Sequence, residues 1–162
     1  MKNVKVKKIN INMFEKENHS LIIEFNTDDM NPQDIPVFIE RVIQAGASDA
    51  FVIPVIMKKG RPGYLFKIPC APEYEETVLE IIFSDTTTIG VRKILAEGIM
   101  LPRKVHEAET LFGKIRVKEV TQPNGEVKIQ PEFEEVKRIA GREKLSLDKV
   151  RSALLSELNK TK

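Results

Sequence analysis

The sequence has no tryptophan, one cysteine, two histidines and two tyrosines among 162 residues, and each shortage removes a class of function. Cys70 has no partner for an internal disulfide, and with the scattered His19 and His106 it falls short of a recognisable zinc or haem site. Its place on a strand suggests core packing rather than nucleophilic catalysis. Single-stranded RNA readout needs aromatic rings on exposed strand faces for base stacking. Phe25 and Phe66 fall on strands, but Phe25 shares its face with Leu21 and Ile23 and reads as core. The net charge is only +2, from 26 Lys and Arg against 24 Asp and Glu, so no global field recruits a duplex and no nucleic-acid partner is expected. No apolar run approaches a membrane span, and the basic start Met1–Lys8 lacks the apolar core of a secretory signal. The expectation is a cytoplasmic protein with no membrane partner. The nucleotide fingerprints GxxxxGK[ST] and GxGxxG are also absent, so a nucleotide here requires a site of another design.

What is present reads as an ordinary globular chain, 41% hydrophobic and 31% charged. Its length suits one core, or one domain with a small appendage. The lysine-rich stretch 1–18 is expected to be a flexible leader. Ser20–Asn26 alternates Leu21, Ile23 and Phe25 with Ile22, Glu24 and Asn26, a strand with one buried face. Asn31 before Pro32, or Asp34 before Pro36, offers a helix cap, and Ile35, Phe38 or Ile39, and Val42 recur at helical spacing until Gly46. Asp49–Met57 and Tyr64–Cys70 read as hairpin partners. A second helix opens at Pro72 with Glu73, Glu75 and Glu76 near its positive end and Tyr74, Val78 and Ile81 or Ile82 inward. Ile89–Leu95 reads as a fourth strand. This α+β order, β-α-β-β-α-β, is that of a ferredoxin-like sheet over 19–101. Pro54 agrees with it, because proline is tolerated mainly on sheet edges and this topology puts the second strand there.

Residues 102–160 predict a small β-hairpin and helix subdomain. Arg103–Thr110 and Ile115–Val120 pair through a turn at Phe112–Lys114, and Asn124-Gly125 signals a hairpin leading to Val127 and Ile129. Pro131 is expected to start a helix with Phe133, Val136 and Ile139 inward and Gly141 at its end. Ser146 caps a last helix whose Leu147, Val150, Leu154 and Leu158 form a docking stripe.

The most chemically informative stretch is Pro54–Gly63, where an apolar strand runs into a loop carrying Lys58, Lys59 and Arg61 between Gly60 and Gly63. Three cations on a short turn repel one another until an anion arrives. The glycines let backbone approach a ligand, and Pro62 rigidifies the loop. The plainer alternative is a basic tip that serves solubility. Asp28 and Asp29 follow the first strand, a pair of hard oxygen ligands suited to magnesium or manganese, or else one helix cap and one solvated acid. Thr86, Thr87 and Thr88 with Gly90 and Arg92 offer hydroxyls, amides and a guanidinium, the parts of a phosphate site, or else an edge strand with a bulge at Gly90.

Asn26–Pro32, Ala45–Asp49, Pro54–Gly63 and Thr86–Arg92, in that order, resemble signature blocks of the C-terminal part of the LarC family of nickel insertion proteins, and Pro131–Glu135 resembles a later block. The likeness covers roughly residues 20 to 141. Phe25 and Thr27 depart mildly from it, standing where smaller polar and aliphatic residues are usual, as does Ser84-Asp85. The resemblance implies insertion of nickel into a pyridinium bisthiocarboxylic acid mononucleotide, completing the nickel-pincer cofactor of lactate racemase, with dependence on CTP and Mg or Mn. It assigns CTP to this part, met by Lys58, Lys59, Gly60, Arg61, Gly63, Thr87, Thr88 and Arg92, with Asp28 or Asp29 on the metal. It also implies a further N-terminal portion, rich in histidine, to which nickel delivery belongs, so that this chain is either an excised domain or a split-gene product. A homo-oligomer is expected, with edge strands and the last helix as contacts. The rival reading is a non-catalytic ferredoxin-like module that binds nucleotide for regulation or serves oligomerisation.

Overall fold

The structure is a computed structural model that describes residues 14–159. These divide into two compact units, one spanning Lys16–Ile99 and the other running from Met100 onward. The first contains β1 (Glu15–Thr27), α1 (Ile35–Gln44), β2 (Phe51–Ile56), β3 (Pro62–Cys70), α2 (Glu75–Asp85) and β4 (Arg92–Met100), with Glu15 at the start of β1 and Met100 at the end of β4 just beyond the division. Its sheet has the order β2-β3-β1-β4. This is the split α+β arrangement expected from the sequence, with Pro54 on the edge strand β2 opposite Tyr64. Of the expected leader, 1–13 lie outside the described residues, while β1 begins at Glu15 and takes in the leader's end.

Alternation decides which face is buried. Leu21, Ile23, Phe25 and Thr27 of β1 and Phe66, Ile68 and Cys70 of β3 point into the core with Phe38 and Val42 of α1 and Val78 and Ile82 of α2. Phe25 and Phe66 stack at 4.6 Å, and Phe38 meets both edge-on at 5.9 and 5.5 Å. Such contacts add roughly 0.5–1.5 kcal/mol per pair beyond burial. Burial also pushes the Cys70 thiol up, and Glu75 and Glu73 add to it, an environment that favours the neutral thiol.

Several local expectations shift. Asn31 caps a 3-10 turn, Pro32–Asp34, by accepting from the Gln33 N–H at 3.1 Å, and α1 begins only at Ile35. A second 3-10 turn, Pro72–Tyr74, precedes α2, and Tyr74 is 44% exposed with its ring against Gly46. The fourth strand starts at Arg92, not Ile89, because Thr86 and Thr88 spend their hydroxyls on Ile82 and Gly90 carbonyls and hold 86–91 as a loop.

The second unit has β5 (Arg103–Thr110), β6 (Gly113–Thr121), β7 (Val127–Pro131), α3 (Phe133–Glu143) and α4 (Leu147–Leu158). The three strands lie in the order β5-β6-β7, the two successive hairpins expected at Phe112–Lys114 and Asn124-Gly125. Pro131 ends β7 instead of opening α3, Phe133 is 54% exposed, and Gly141 lies within α3, which closes on Lys144 at φ 55°. Ser146 caps α4 as expected, accepting from the Lys149 N–H at 3.4 Å. Val150, Leu154 and Leu158 dock into this unit's own core with Ile115, Val117, Val136 and Ile139.

Candidate functional site

Between β2 and β3 the chain makes one 3-10 turn, Lys58–Gly60, closed by the Gly60 N–H donating to Met57 O at 3.1 Å and the Met57 N–H to Arg61 O at 2.7 Å. Lys59 at φ 64° and Gly60 at φ 73° are both left-handed. For lysine that conformation costs roughly 1 kcal/mol. Both Lys58 and Lys59 are exposed, and neither side chain has an ion pair or hydrogen bond among the described residues. Arg61 Nη1 instead donates to Asp28 Oδ2 at 3.1 Å.

Gly63 works by proximity, not by an unusual backbone angle. A Cβ there would lie 2.5 Å from the Thr27 carbonyl oxygen and 2.6 Å from Met57 Sδ. The missing side chain therefore lets the basic turn close onto the end of β1, where Asp28 and Asp29 follow.

Asp29 is organised by hydroxyls. Thr27 Oγ1 donates to its Oδ1 at 2.7 Å, Thr87 Oγ1 donates to the same oxygen, and the two hydroxyl oxygens are 2.7 Å apart. These bonds, Thr87's first, hold the Asp29 carboxyl below the usual range and keep it anionic. Its Oδ2 accepts no bond among the described residues. No group of three or more His, Cys, Asp or Glu that could hold a metal is found among the described residues. One or two carboxylates nevertheless suit magnesium or manganese when phosphate oxygens and water complete the sphere, so the donors present fit such an ion as a partner of a phosphate ligand.

Arg92 lies elsewhere on the same strand end. Its Nε donates to Glu24 Oε1 at 3.0 Å and its Nη2 to Asn26 Oδ1 at 3.2 Å. Glu24 and Asn26 alternate with the buried residues of β1, so these bonds lie on the sheet face away from the helices. Lys67 Nζ shares Glu24 at 3.1 Å, and the hydrogen bonds from Lys67 and then Arg92 hold its carboxyl below the usual range. Asn26 Nδ2 also reaches Met57 Sδ at 3.7 Å, linking this face to the base of the basic turn.

On the helix side, beside the turn, lies a cleft of about 420 Å³ lined by Asp28, Met30, Pro32, Pro54, Pro62 and Tyr64, among others. Lys58, Lys59, Gly60, Arg61, Gly63, Asp28, Asp29 and Thr87 are thus brought to one end of the sheet. Thr88 is turned into its own loop, and Arg92 is committed to the open face. Ala45–Asp49 belongs to the opposite end, where Ala47 bridges Cys70. Sequence reasoning passed over Thr27, Glu24 and Tyr64 as site residues. Thr27 was signalled by position: it continues the inward series Leu21, Ile23, Phe25 as a polar residue at the strand's end.

A family model described as nickel insertion protein matches residues 4–151. The chain belongs to the nickel insertion protein family. A putative nickel insertion protein of Dictyoglomus thermophilum is 44% identical over 81% of this chain and 34% of its own length. The pyridinium-3,5-bisthiocarboxylic acid mononucleotide nickel insertion protein of Clostridium kluyveri is 43% identical over 84% of this chain and 34% of its length. The chain therefore spans about a third of these relatives. Among solved structures, LarC2, the C-terminal domain of a cyclometallase involved in synthesis of the NPN cofactor of lactate racemase, superposes at TM-score 0.79 with 26% identity, covering 90% of this chain and 99% of that one. Protein MK0293 of Methanopyrus kandleri shares the fold, at TM-score 0.63 and 20% identity over 86% of each chain.

Proposed function

We propose that this chain is the CTP- and divalent-metal-binding part of a nickel insertion protein, acting in nickel-pincer nucleotide cofactor synthesis with nickel as the inserted substrate metal. The observation that carries this reading is the pair of unneutralised lysines, Lys58 and Lys59, on a turn pinned by Gly63 against a strand end that also presents Asp28, Asp29 and Thr87. A triphosphate supplies the anion the turn lacks, and charge-assisted bonds from lysine and from Arg61 suit its oxygens. Asp29, already ionised and offering Oδ2, is the carboxylate placed to share a magnesium or manganese ion with those phosphates. Such an ion, when bound, neutralises charge developing on the phosphates. Arg61 orients on Asp28 and so is directed before the ligand arrives. The acceptor of nickel, the pyridinium bisthiocarboxylic acid mononucleotide, and a further portion of the protein complete the assignment. The exposed Ile94, Leu95 and Ile99 of edge strand β4 support self-association as the role of that edge.

Calorimetric titration of the chain with CTP, ATP and GTP, each with and without manganese or magnesium, tests the reading. Metal-dependent binding that prefers CTP is expected. Absence of binding to all three triphosphates would reduce the turn to a solvated surface feature and overturn it.

A further inference from the structure

Thr87 comes to Asp29 from the loop 86–91 after α2, and that loop is tied internally. The Thr86 hydroxyl and N–H both donate to Ile82 O, at 2.7 and 3.2 Å, and Thr88 Oγ1 donates to Gly90 O at 2.9 Å. Such local bonds make the loop a stiff continuation of α2, so the reach of Thr87 is set by where that helix ends. The last buried apolar residue of α2 is Ile82, and Phe83 after it is 48% exposed. Asp85, the final residue of α2, is held from outside the helix by Arg41 of α1, whose Nη1 donates to Oδ2, and within it by Ser84 Oγ, which donates to Oδ1 at 2.9 Å. No other element supplies a polar partner to Asp85 among the described residues. A carboxylate at a helix C-terminus meets the negative end of the dipole, and with its side chain only 15% exposed Asp85 needs the guanidinium. Beside the pair lies a cavity of about 240 Å³ lined also by Asp34, Val37 and Phe38, so the bond spans α1 and α2 where apolar packing leaves a gap.

We propose that Arg41 is a positioning residue for Asp29: through Asp85 it fixes where α2 ends, and so places the Thr87 hydroxyl on the carboxylate. The inference rests on the proposed role of Asp29 as the carboxylate that shares a magnesium or manganese ion with the phosphates. Thr27 and Thr87 both donate to Oδ1, which fixes the carboxylate plane and leaves Oδ2 for a cation. Without Thr87 the carboxylate is held by Thr27 alone and is free to turn. Partners that orient a metal-binding group from behind are worth about 10- to 100-fold in metal affinity. Arg41 acts one link further back.

The test compares CTP affinity with and without manganese in the intact chain. Manganese is expected to raise the affinity. Thr87→Val should cut that enhancement about tenfold or more, and Arg41→Ala about two- to fivefold, the range of a partly exposed ion pair. Metal-free CTP binding, which the basic turn governs, should move by less than about twofold in Arg41→Ala, and Arg41→Lys, which keeps the charge, should recover the enhancement. Asp85→Asn should act as Arg41→Ala does, and it carries the test if the alanine variant does not fold. Without any ligand, the NMR signals of the Thr87 methyl and the Asp29 amide should shift in these variants while those of Val78 and Ile82 stay fixed, a signature that general loosening of the helix pair does not give. An unchanged enhancement in the folded variants, unmoved Thr87 signals, or equal shifts at Val78 and Ile82 would overturn the positioning role. If manganese does not raise the affinity of the unaltered chain, Asp29 has no metal role and this inference falls with it, whereas CTP binding that persists through Lys58 and Lys59 keeps the phosphate part of the proposed function.

Discussion

On β6, Arg116 and Lys118 are each held by an acid from the start of α3, Glu135 at 3.5 Å and Glu132 at 3.1 Å, whereas Lys58 and Lys59 on the β2–β3 turn make no ion pair among the described residues. Glu135 is shared further with Arg138 at 2.6 Å, and these cations, Arg138 first, hold its carboxyl below the usual range. Both regions are basic in sequence, and the cavity of about 390 Å³ near Arg116 carries Arg103 and Lys118 beside Glu132 and Glu134. The difference is neutralisation. A cation that already has a carboxylate satisfies the chain, while one fixed on a short turn without a carboxylate is satisfied only by something from outside.

The comparison can be broken first at the level of the core beneath the turn. Phe66→Ala removes a ring that Phe25 and Phe38 both pack on, and should cost about 3–5 kcal/mol. Amide exchange in β1 and β3 would report it, with α3 and α4, built on a separate core, as reference. Gly63→Ala comes next, at about 1–3 kcal/mol, because its Cβ meets backbone at Thr27 O. A denaturant midpoint unchanged by that substitution would show that the turn does not rest on β1.

The central contrast is sharpened by matched charge removals. Lys59→Ala or Arg61→Ala should weaken triphosphate binding about 10- to 100-fold each, while Arg116→Ala and Lys118→Ala should leave it within twofold. Equal losses at both places would mean that general charge, not the unpaired turn, holds the ligand. Smaller still is the pH effect at Glu24. Its folded pKa lies below the ordinary glutamate value of about 4.3, so its bonds to Lys67 and Arg92 stabilise the fold above that value and are lost as pH falls through the lowered one. Glu24→Gln should therefore cost about 1 kcal/mol near pH 6 and almost nothing at the acid end, as read from melting curves across that range. The smallest effect is expected from Lys59→Gly, which relieves the left-handed strain but loosens the unfolded chain. Stability should move by no more than about 0.5 kcal/mol while triphosphate affinity still falls, separating the lysine's charge from its backbone.

Much of the first unit was legible because period-two alternation is a local signal that survives into the fold. Leu21, Ile23 and Phe25 declared the buried face of β1, and Pro54 declared an edge. Boundaries were less legible where side-chain oxygens compete with the backbone: Thr86 and Thr88 delayed β4, and Asn31 capped a 3-10 turn where an α-helix was expected. Pro131 misled for a different reason, since proline suits either a helix start or the end of an edge strand, and pairing with Val117 made it the latter.

By itself the sequence determined that Lys58, Lys59 and Arg61 share a glycine-bounded turn, that two aspartates follow an apolar strand, and that the blocks carrying them belong to the nickel insertion proteins. Those are properties of neighbours along the chain, or of their order, and need no coordinates. Tertiary structure alone decided that Arg61 is committed to Asp28, that Thr27 and Thr87 hold Asp29 ionised, that Arg92 serves Glu24 and Asn26, and that Pro32, Pro54 and Tyr64 close a cleft. Each depends on at least one contact between residues distant in sequence. Whether a charge is free or spent is settled only when the fold brings its partner within hydrogen-bond reach.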